Sequence, residues 1–457
     1  MKLKTIILAA GQGTRMKSSL PKVLHKLGGL SLLEHVFNLS ASLECEDTAV
    51  IYGHGGAEVP SSLAHLNTAW VEQREQLGTG HAVMQVADSI GDDQTVLILY
   101  GDVPLLRKTT VQNLLARCDE NTLSLLTIDL ENPFGYGRIV RHPSTNRIER
   151  IVEEKDASDE EKGLREVNTG MVAVHGNLLK KCMSELTNHN AQGEYYLTDI
   201  VALAVGRGFR VEAVQAGSVD EILGVNDRVQ LAHLERIFQK QQALALMTAG
   251  ITLKDPDRFD LRGQIVEFGR DVEIDVNVIL DGRISLGDNV RIGANCLIKN
   301  ARIGDNVEIL AHSIIEDAMI GDFSRIGPFA RIRPETELGD HVHIGNFVEI
   351  KKTSIDSGSK VNHLSYIGDT TIGSRVNIGA GTITCNYDGA NKYRTIIEDE
   401  VFVGSDTQLV APVTIRKKSM IGAGSTITKD TPEDQLTLSR SKQYTVKGWL
   451  RPNKRSF

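Results

Sequence analysis

The sequence is poor in aromatic residues and has no long hydrophobic run. Aromatic residues make up 5% of its 457 residues and hydrophobic residues as a whole 41%, so a folded core must be mainly aliphatic. That hydrophobic share excludes a disordered chain. No stretch approaches the ~18 consecutive apolar residues that a membrane-spanning helix needs. At ~150 residues per domain, the length predicts two or three domains.

Cysteine is scarce, and its spacing favours free thiols. The number of cysteines is odd and no C-x-x-C pair occurs, which excludes a disulfide scaffold and favours a reducing compartment. The apolar run that follows Lys4 is too short for a secretory signal peptide. We therefore expect a cytoplasmic protein without a membrane span. The cysteines are Cys45, Cys118, Cys182, Cys296 and Cys385.

Basic residues are outnumbered by acidic ones, giving a formal net charge of −8, but they gather at the two ends of the chain. Neither 1–33 nor 435–457 contains Asp or Glu, and each contains six Lys or Arg. The negative total argues against a nucleic-acid-binding protein. The basic ends predict two sites for anionic small molecules, although 451–457 taken alone favours a solvated tail.

Up to about residue 225, short aliphatic segments alternate with helical patterns. This alternation predicts an α/β domain with a parallel, doubly wound, Rossmann-like sheet that is covered on both faces. The predicted strands are Thr5–Leu8, Ala49–Tyr52, Ala69–Glu72 and Thr95–Tyr100. The predicted helices between them are Ser31–Leu43, Gly80–Ala87 and Thr109–Arg117.

A second region, 226–249, carries an apolar stripe at helical spacing with no Gly or Pro before Gly250. We interpret it as one long helix that links two domains. The predicted domains are therefore 1–225, the linker helix 226–249, and 250–457 with a basic C-terminal tail.

From residue 263 onward, aliphatic residues recur every six positions, with an occasional step of five. Neither a helix nor a half-buried strand has this period, which is typical of hexapeptide repeats in a parallel β-helix. One aliphatic residue on each side of a triangular coil would point inward, and glycine would often follow at the corner. The repeating residues are Leu286, Ile292, Ile298, Ile303, Ile309, Ile315, Ile320, Ile326, Ile332, Leu338, Ile344, Ile350, Ile355, Val361, Ile367, Ile372, Ile378, Ile397, Val403, Leu409, Ile415, Ile421 and Ile427.

The repeat is interrupted between Gly379 and Thr395. This segment cannot stay in the register of the coil, so we expect it to protrude as a loop. A loop of this length is either functional or a tolerated decoration. We favour a functional loop that meets a neighbouring chain.

A glycine-rich turn, Gly11-Gln12-Gly13, follows the first predicted strand. Such a turn lets backbone N–H groups approach a phosphate chain, but an ordinary strand-to-helix turn would look the same. Arg15 and Lys22 strengthen the phosphate interpretation, because two cations beside the turn could neutralise a triphosphate and its transition state. Their alternative is solvated surface charge. The pattern is neither a Walker A loop nor G-x-G-x-x-G.

Two further residues, Asp102 and His363, are candidates for metal binding and for proton transfer. Asp102 ends the strongest strand, and a carboxylate there suits Mg²⁺, although a helix N-cap is the common alternative. His363 lies within the repeats, two positions after the inward Val361. A histidine suits removal of a proton from an attacking amine, but a surface histidine at a coil corner is the simpler interpretation of the residue alone.

Several motifs together carry a resemblance to a known family. The Gly11–Arg15 turn with Pro21-Lys22, the 75–80 segment EQLGTG and the 100–104 segment YGDVP resemble sugar-1-phosphate nucleotidylyltransferases. With the hexapeptide half and the segments VNHL (361–364) and CNYDGANK (385–392), the chain resembles the bacterial bifunctional N-acetylglucosamine-1-phosphate uridylyltransferases/glucosamine-1-phosphate N-acetyltransferases. The similarity extends over nearly all of the chain.

For the first half, the resemblance implies Mg²⁺-dependent uridylyl transfer from UTP to N-acetylglucosamine-1-phosphate. Arg15 and Lys22 would assist the transfer, and Asp102 and Asn226 would hold the metal ion. Gln12 departs from the lysine that relatives often carry, which would weaken UTP binding if a cation matters there. Gln73 and Gly78-Thr79 would read uracil by amide and backbone hydrogen bonds. The full set of residues that the nucleotide would contact is Leu8, Ala9, Gly11, Lys22, Gln73, Gly78, Thr79, Tyr100, Gly101 and Asp102. The sugar would contact Gly137, Glu153, Asn168 and Asn226.

For the second half, the resemblance implies acetyl transfer from acetyl-CoA to glucosamine-1-phosphate, with His363 as general base. The family's β-helix is left-handed and trimeric, and the product pathway supplies peptidoglycan and lipopolysaccharide precursors and so maintains cell shape. The alternative is a β-helix that serves only oligomerisation or regulation. The sugar phosphate would contact Arg333, Lys351, Tyr366, Asn377, Asn386 and Tyr387. Acetyl-CoA would contact Ala380, Ser405, Ala423 and Arg440.

Overall fold

The structure, a computed structural model, describes residues 2–452 of the chain. Lys454 and Arg455 of the predicted basic tail therefore lie outside the described residues. The chain divides into two compact units, Met1–Phe238 and Gln239–Phe457.

The first unit alternates strands and helices. Its strands are β1 (Leu3–Ala9), β2 (Lys26–Leu27), β3 (Leu30–Ser31), β4 (Asp47–Tyr52), β5 (Ala69–Glu72), β6 (Thr95–Tyr100), β7 (Thr122–Asp129), β8 (Gly137–Arg141), β9 (Ile148–Val152), β10 (Glu166–His175) and β11 (Arg210–Gln215). Its helices are α1 (Leu32–Ala41), α2 (Glu58–Ser62), α3 (Thr79–Met84), α4 (Lys108–Ala116), α5 (Asp159–Lys162), α6 (Gly176–Met183), α7 (Asp199–Gly206) and the start of α8 (Arg228–Thr248). All four strands and all three helices predicted for this half are present, with ends shifted by a few residues.

The main sheet has the strand order β11-β7-β10-β6-β1-β4-β5. It is parallel apart from β10, which runs antiparallel to β6 and β7 and also pairs with the β8–β9 hairpin. The predicted parallel sheet is thus a mixed one. The reason is the connection between β7 and β10, which is built around this hairpin instead of the crossover helix that would return the chain to the same direction.

Helices cover both faces of this sheet, as the doubly wound prediction requires. All seven residues of β1 are buried. Ile6 and Leu8 pack in the cluster on one face, whereas Leu3, Ile7 and Ala9 pack in the cluster on the other. Because successive side chains of a strand point to opposite faces, a strand buried on both faces is mostly apolar, as residues 6–9 are, although β1 also buries Lys4 and Thr5.

The long helix predicted over 226–249 is present as α8, and the division between the units falls inside it. In the first unit, Leu234 packs with Met16 and Leu27. In the second unit, the Gln239 amide bonds to the backbone of Leu261 in both directions, at 2.7 and 3.0 Å.

The second unit is built almost wholly of short strands. The first are β12 (Thr252–Leu253), β13 (Asp260–Phe268), β14 (Glu273–Ile274), β15 (Ile279–Leu286), β16 (Arg291–Ile292), β17 (Leu297–Ile303), β18 (Glu308–Ile309), β19 (Ile314–Ile320), β20 (Arg325–Ile326), β21 (Arg331–Ile332), β22 (Thr336–Leu338), β23 (His343–Asn346) and β24 (Glu349–Lys351). They are followed by β25 (Ser354–Ile355), β26 (Lys360–His363), β27 (Tyr366–Gly368), β28 (Thr370–Ile372), β29 (Asn377–Ile378), β30 (Ile383–Cys385), β31 (Thr395–Ile397), β32 (Phe402–Val403), β33 (Gln408–Val410), β34 (Val413–Ile415), β35 (Met420–Ile421), β36 (Thr426–Ile427) and β37 (Leu436–Thr437).

These strands stack in parallel and confirm the predicted β-helix. Ile292 pairs with Ile309, Ile309 with Ile326 and Ile326 with Ile344, so each coil lies directly on the one before. Every aliphatic residue of the six-residue period is buried in one continuous core. The stack begins at β12, before the predicted onset at residue 263, because the first coil uses irregular spacing.

The predicted loop between Gly379 and Thr395 is shorter in the structure. Residues up to Cys385 stay in the coil, since β30 pairs with β27 and β33. The missing aliphatic residue is replaced by Thr384, which is fully buried and whose hydroxyl accepts a hydrogen bond from the Gly368 N–H at 2.8 Å. Only 386–394 leave the coil.

Close stacking requires most of the corner glycines, rather than the backbone angles that we expected; Gly327, with φ of 96°, is an exception. A methyl group on Gly404 would lie 2.5 Å from the backbone nitrogen of Ala423 in the next coil. The left-handed corner positions are instead occupied by other residues, such as Asn289 and Asn306 with φ of 55° and 56°. Asparagine tolerates this conformation better than most side chains do.

Candidate active sites

A cleft of about 460 Å³ opens at the carboxyl ends of β1, β5 and β6 in the first unit. Ligands of open α/β sheets bind at such strand ends. Nine residues predicted to bind the nucleotide line it, namely Leu8, Ala9, Gly11, Lys22, Gln73, Gly78, Thr79, Tyr100 and Asp102. Sequence reasoning did not propose as binding residues Ala10, Gln12, Val23, Gln76, Ala82 and Glu194, which also line it.

The glycine-rich turn lies open to this cleft. Gly11 is exposed and has no atom within 4 Å of the place where a side chain would begin, so a phosphate can approach its backbone. Gly13 has φ of 60°, and a methyl group there would lie 2.7 Å from Cβ of Lys22. Arg15 is exposed in the short 3-10 turn Thr14–Met16 and does not line the cleft. Its catalytic role therefore stays a prediction.

Lys22, Asp102 and Asn226 meet at one edge of the cleft. The Lys22 ammonium is paired with the Asp102 carboxylate and donates to Asn226 Oδ1 at 3.3 Å. A backbone hydrogen bond from Val225 N–H to the Asp102 carbonyl, 2.9 Å long, brings Asn226 to this position. Two oxygen donors that converge on one cationic group fit a hard divalent cation such as Mg²⁺, which takes its other ligands from phosphates and water.

The part of the cleft predicted to hold the base is built on backbone contacts. Gly78 has φ of 106°, and any side chain there would lie 2.6 Å from the Tyr195 carbonyl oxygen. The Gln73 side chain is buried and donates from Nε2 to the Gly78 carbonyl at 3.1 Å. Thr79 Oγ1 accepts from the Leu197 N–H at 3.0 Å. These contacts fix Gln73 and Thr79, which are predicted to face the base.

The four residues predicted to hold the sugar do not all lie together. Gly137 and Asn168 are paired partners on β8 and β10, and the buried Asn168 Oδ1 has no hydrogen-bond partner among the described residues. Burial raises the pKa of Glu153, whose carboxylate accepts from Thr198 Oγ1 at 2.9 Å. A Cβ on Gly137 would lie 2.9 Å from Cγ2 of Ile151 and at an ordinary contact distance of 3.5 Å from the Glu153 carboxylate, so the close approach of Ile151 favours glycine there. Asn226 lies with the Lys22 group instead.

Tyr100 joins the base and sugar regions. Burial is the main cause of its raised pKa, and the carboxylates of Glu153 and Asp102 raise it further. The phenol is therefore a neutral hydrogen-bonding group at physiological pH. Gly101 donates its N–H to the Leu8 carbonyl at 2.9 Å, which holds the end of β6 against β1.

In the second unit, five residues share one corner of successive coils. Each lies two positions after an inward aliphatic residue, and those aliphatic residues are paired in register, so the five form a column with a step of ~4.8 Å. Arg440 extends the column by donating from Nη1 to the Ala423 carbonyl at 2.8 Å. The column residues are Asn346, His363, Ala380, Ser405 and Ala423.

His363 is exposed, and its ring is held from below by the previous coil. Nδ1 lies 2.9 Å from Asn346 Oδ1. When Nδ1 carries the proton and donates it to this amide oxygen, Nε2 keeps its lone pair and can accept a proton from a substrate. Ala380, Ser405 and Ala423, which are predicted to bind acetyl-CoA, follow His363 in the column, one in each successive coil.

Arg333 and Lys351 lie one coil apart on another side of the β-helix, where β21 pairs with β24. Arg333 Nη1 donates to Glu349 Oε1 at 2.7 Å, and Lys351 Nζ lies 3.8 Å from Asp369 Oδ2. Both cations are thus held in place by carboxylates while part of each side chain stays accessible. Such a pair fits a phosphate monoester.

Asn386 and Tyr366 adjoin this cationic pair. Asn386 is buried and its amide donates to the Asp369 carboxylate, the same group that contacts Lys351. A side chain on Gly368 would lie 2.4 Å from the Tyr366 hydroxyl, so glycine leaves the space that this hydroxyl occupies.

Asn377 and Tyr387 do not join either group. Asn377 lies on β29, and the exposed Tyr387 bonds within its own loop to the Gly389 carbonyl at 2.6 Å. Across residues 2–452, no side-chain hydrogen bond connects the His363 column with the group around Lys351. Tyr366 nevertheless follows His363 by only three positions, so the two groups occupy neighbouring stretches of one coil.

Sequence reasoning missed the partners of the predicted residues, above all Asn346, Glu349 and Asp369. Coil length was a usable signal, because Asn346 precedes His363 by one coil, as their pairing in register shows. Within the described part of the chain, no group of three His, Cys, Asp or Glu side chains could hold a metal ion. No helix of that part is both long enough and apolar enough to cross a membrane.

Family models match both units. The model of the MobA-like NTP transferase domain matches residues 5–167. Those of the GMPPB C-terminal domain and of the hexapeptide repeat of succinyl-transferase match 264–348 and 394–429. The fold and these matches define a transferase with a nucleotidyltransferase domain followed by a hexapeptide-repeat acyltransferase domain.

Relatives match the chain along almost its whole length, and each is named bifunctional protein GlmU. That of Methylococcus capsulatus is 64% identical over 454 residues, which is 99% of this chain and 98% of the relative. Those of Thiobacillus denitrificans and Nitrosospira multiformis are 56% and 55% identical, again over 99% of this chain and 98% of each relative. The chain belongs to the bifunctional GlmU family.

Proposed function

We propose that the first unit transfers a uridylyl group from UTP to N-acetylglucosamine-1-phosphate, and that the second unit makes this acceptor by acetylating glucosamine-1-phosphate with acetyl-CoA. The proposal rests on one observation: the chain contains two sites whose polar side chains are held in place by hydrogen bonds. One is the cleft with Lys22, Asp102 and Asn226, and the other is the His363 column with its cationic counterpart.

In uridylyl transfer, a phosphate oxygen of the sugar phosphate attacks the α-phosphorus of UTP, and the bond to the leaving pyrophosphate breaks. Mg²⁺ held by Asp102 and Asn226 would neutralise the phosphate charge. Lys22 adds a positive charge beside the open Gly11 turn, and Arg15 would add a second. Because phosphoryl transfer needs little covalent help, positioning and charge carry the rate.

The acceptor sugar would lie against Asn168, Glu153 and Gly137. Among residues 2–452 the buried Asn168 Oδ1 has no hydrogen-bond partner, so a sugar hydroxyl or amide that donates to it relieves an uncompensated polar group. The Glu153 carboxylate is held by Thr198 and can accept from a second hydroxyl.

In acetyl transfer, His363 Nε2 would take a proton from the attacking amine as its nitrogen bonds to the thioester carbon. The C–S bond then breaks, and the protonated His363 would return the proton to the CoA sulfur, so that CoA leaves as the thiol. Backbone N–H near Ala380 would stabilise the oxyanion of the tetrahedral intermediate. Arg333 and Lys351 would bind the sugar phosphate, and Ser405, Ala423 and Arg440 would line the CoA channel.

We also propose, as the family resemblance implies, a homotrimer in which a neighbouring subunit contributes to each acetyl-transfer site at the boundary between two subunits. Asn377 and the loop around Tyr387 would contribute across that boundary. We also propose a left-handed coil, a cytoplasmic location, and a role in supplying peptidoglycan and lipopolysaccharide precursors.

The competing proposal is a nucleotidyltransferase whose β-helix only oligomerises or regulates. The bond between His363 and Asn346 disfavours it, because a structural coil has no need of an oriented exposed imidazole. The two are distinguished by incubating the full chain with glucosamine-1-phosphate, acetyl-CoA, UTP and Mg²⁺ and identifying products by mass. We expect UDP-N-acetylglucosamine and pyrophosphate. Uridylylation of supplied N-acetylglucosamine-1-phosphate without any acetylation would overturn the second activity.

A further inference from the structure

His81, a residue that the proposed reactions leave without a role, contacts the residue proposed to read the base. It lies half-buried in α3, and its Nδ1 is 3.1 Å from Nε2 of Gln73. The same Nε2 is 3.1 Å from the carbonyl oxygen of Gly78. The Gln73 side chain is 3% exposed and lines the nucleotide cleft.

These two contacts determine the orientation of the Gln73 side-chain amide, that is, the positions of Nε2 and Oε1. The Gly78 carbonyl oxygen can only accept a hydrogen bond, so the amide nitrogen must face it. Its second N–H then points at His81 Nδ1. Both N–H groups are used, and across residues 2–452 no group donates to Gln73 Oε1. The amide therefore presents an acceptor, and not a donor, to a bound base.

His81 can accept from Gln73 only as a neutral imidazole that carries its proton on Nε2. On the other side of the ring, the exposed Gln85 amide lies 3.2 Å from that Nε2 and 3.0 Å from the His81 carbonyl. A neutral imidazole cannot accept at both nitrogens. Because Gln85 is exposed and can rotate whereas Gln73 is buried, the contact with Gln73 sets the tautomer.

We infer that His81 is a positioning residue that determines base specificity, by holding the Gln73 amide with Oε1 toward the pyrimidine. Uracil has an N–H at N3, which can donate to this oxygen. Cytosine has a lone pair at N3, which would face the lone pairs of Oε1. The inference rests on the proposed uridylyl transfer and adds to it the reason for choosing UTP over CTP.

The test measures kcat and KM of the first reaction with UTP and with CTP for the full chain and three variants. His81→Leu removes the acceptor at similar volume. We expect the KM for UTP to rise about fivefold, the value of one lost hydrogen bond, and the preference for UTP over CTP to fall about tenfold with kcat little changed. His81→Asn offers an oxygen near the place of Nδ1 and should restore both values. Gln85→Ala, the matched control, should behave as the wild type.

If His81→Leu lowers kcat/KM by the same factor for UTP and for CTP, the inference is overturned, because an equal loss indicates a purely structural role. A His81→Asn variant no better than His81→Leu would overturn it as well. If a variant does not fold, ¹⁵N chemical shifts of His81 in the wild-type chain decide the question. The Nε2–H tautomer supports the inference, and the Nδ1–H tautomer overturns it. A wild-type chain that does not react with UTP would instead refute the proposed function itself.

Discussion

Replacing Asn346 by alanine should slow acetyl transfer without changing uridylyl transfer. The bond from His363 Nδ1 to Asn346 Oδ1 is 2.9 Å long and lies at a partly exposed corner, so its net value is about 1 kcal/mol. Freeing the imidazole to rotate adds about 0.5–1 kcal/mol. Together they predict a loss of about 10- to 30-fold in kcat/KM. This is far less than the ~10⁴ lost when the Asp of a Ser-His-Asp triad is replaced by Asn, because that replacement imposes the wrong imidazole tautomer, whereas Asn346→Ala leaves the ring free to adopt the active one.

Release of CoA followed with a thiol reagent measures this loss. The control is pyrophosphate release from UTP and separately supplied N-acetylglucosamine-1-phosphate, because that reaction does not depend on the acetylated product. Asn346→Asp is the informative second variant. Its carboxylate accepts the same proton but favours the charged ring, so the rise of acetyl transfer with pH should move to higher pH. A wild-type rate for Asn346→Ala at all pH values would refute the claim that this amide orients His363.

Three further predictions concern stacking, a buried charge and the metal. Gly404→Ala places a methyl group 2.5 Å from the Ala423 nitrogen. We expect the free energy of unfolding, measured by denaturant titration, to fall by about 1–3 kcal/mol. In the control Gly206→Ala, the new methyl group meets no non-neighbouring atom of the described residues within 4 Å, so this free energy should not fall. Burial raises the pKa of Glu153 above 4.5, so its charge destabilises the fold as pH rises past that value. Glu153→Gln should therefore raise the unfolding temperature at neutral pH but not below about pH 4.5, while weakening binding of the sugar phosphate. Chelation of divalent cations should stop pyrophosphate release and leave CoA release intact; loss of both would contradict separate sites.

The period of six predicted the β-helix well because the interior of each coil is narrow, and an inward side chain there is usually aliphatic. The same rule failed at Thr384, where a buried hydroxyl bonded to the Gly368 N–H takes the aliphatic place. The antiparallel direction of β10 was also missed, because strand direction leaves no periodic pattern in a strand buried on both faces.

The candidate residues were predicted mainly by motif, and their partners were not. Asn346 and Asp369 act through residues one coil away, and such proximity exists only once the coils are stacked in register. Arg15 illustrates the opposite case, since charge beside a glycine-rich turn predicts phosphate contact but does not determine where an exposed side chain lies.

The central claim, two independent active sites in one chain, is tested most directly by His363→Ala and Asp102→Ala given glucosamine-1-phosphate, acetyl-CoA, UTP and Mg²⁺. The first variant should leave glucosamine-1-phosphate unacetylated yet still convert supplied N-acetylglucosamine-1-phosphate to UDP-N-acetylglucosamine. The second should accumulate N-acetylglucosamine-1-phosphate. An equal mixture of the two should restore the final product by diffusion of this intermediate. Loss of both activities from either single variant would contradict the account.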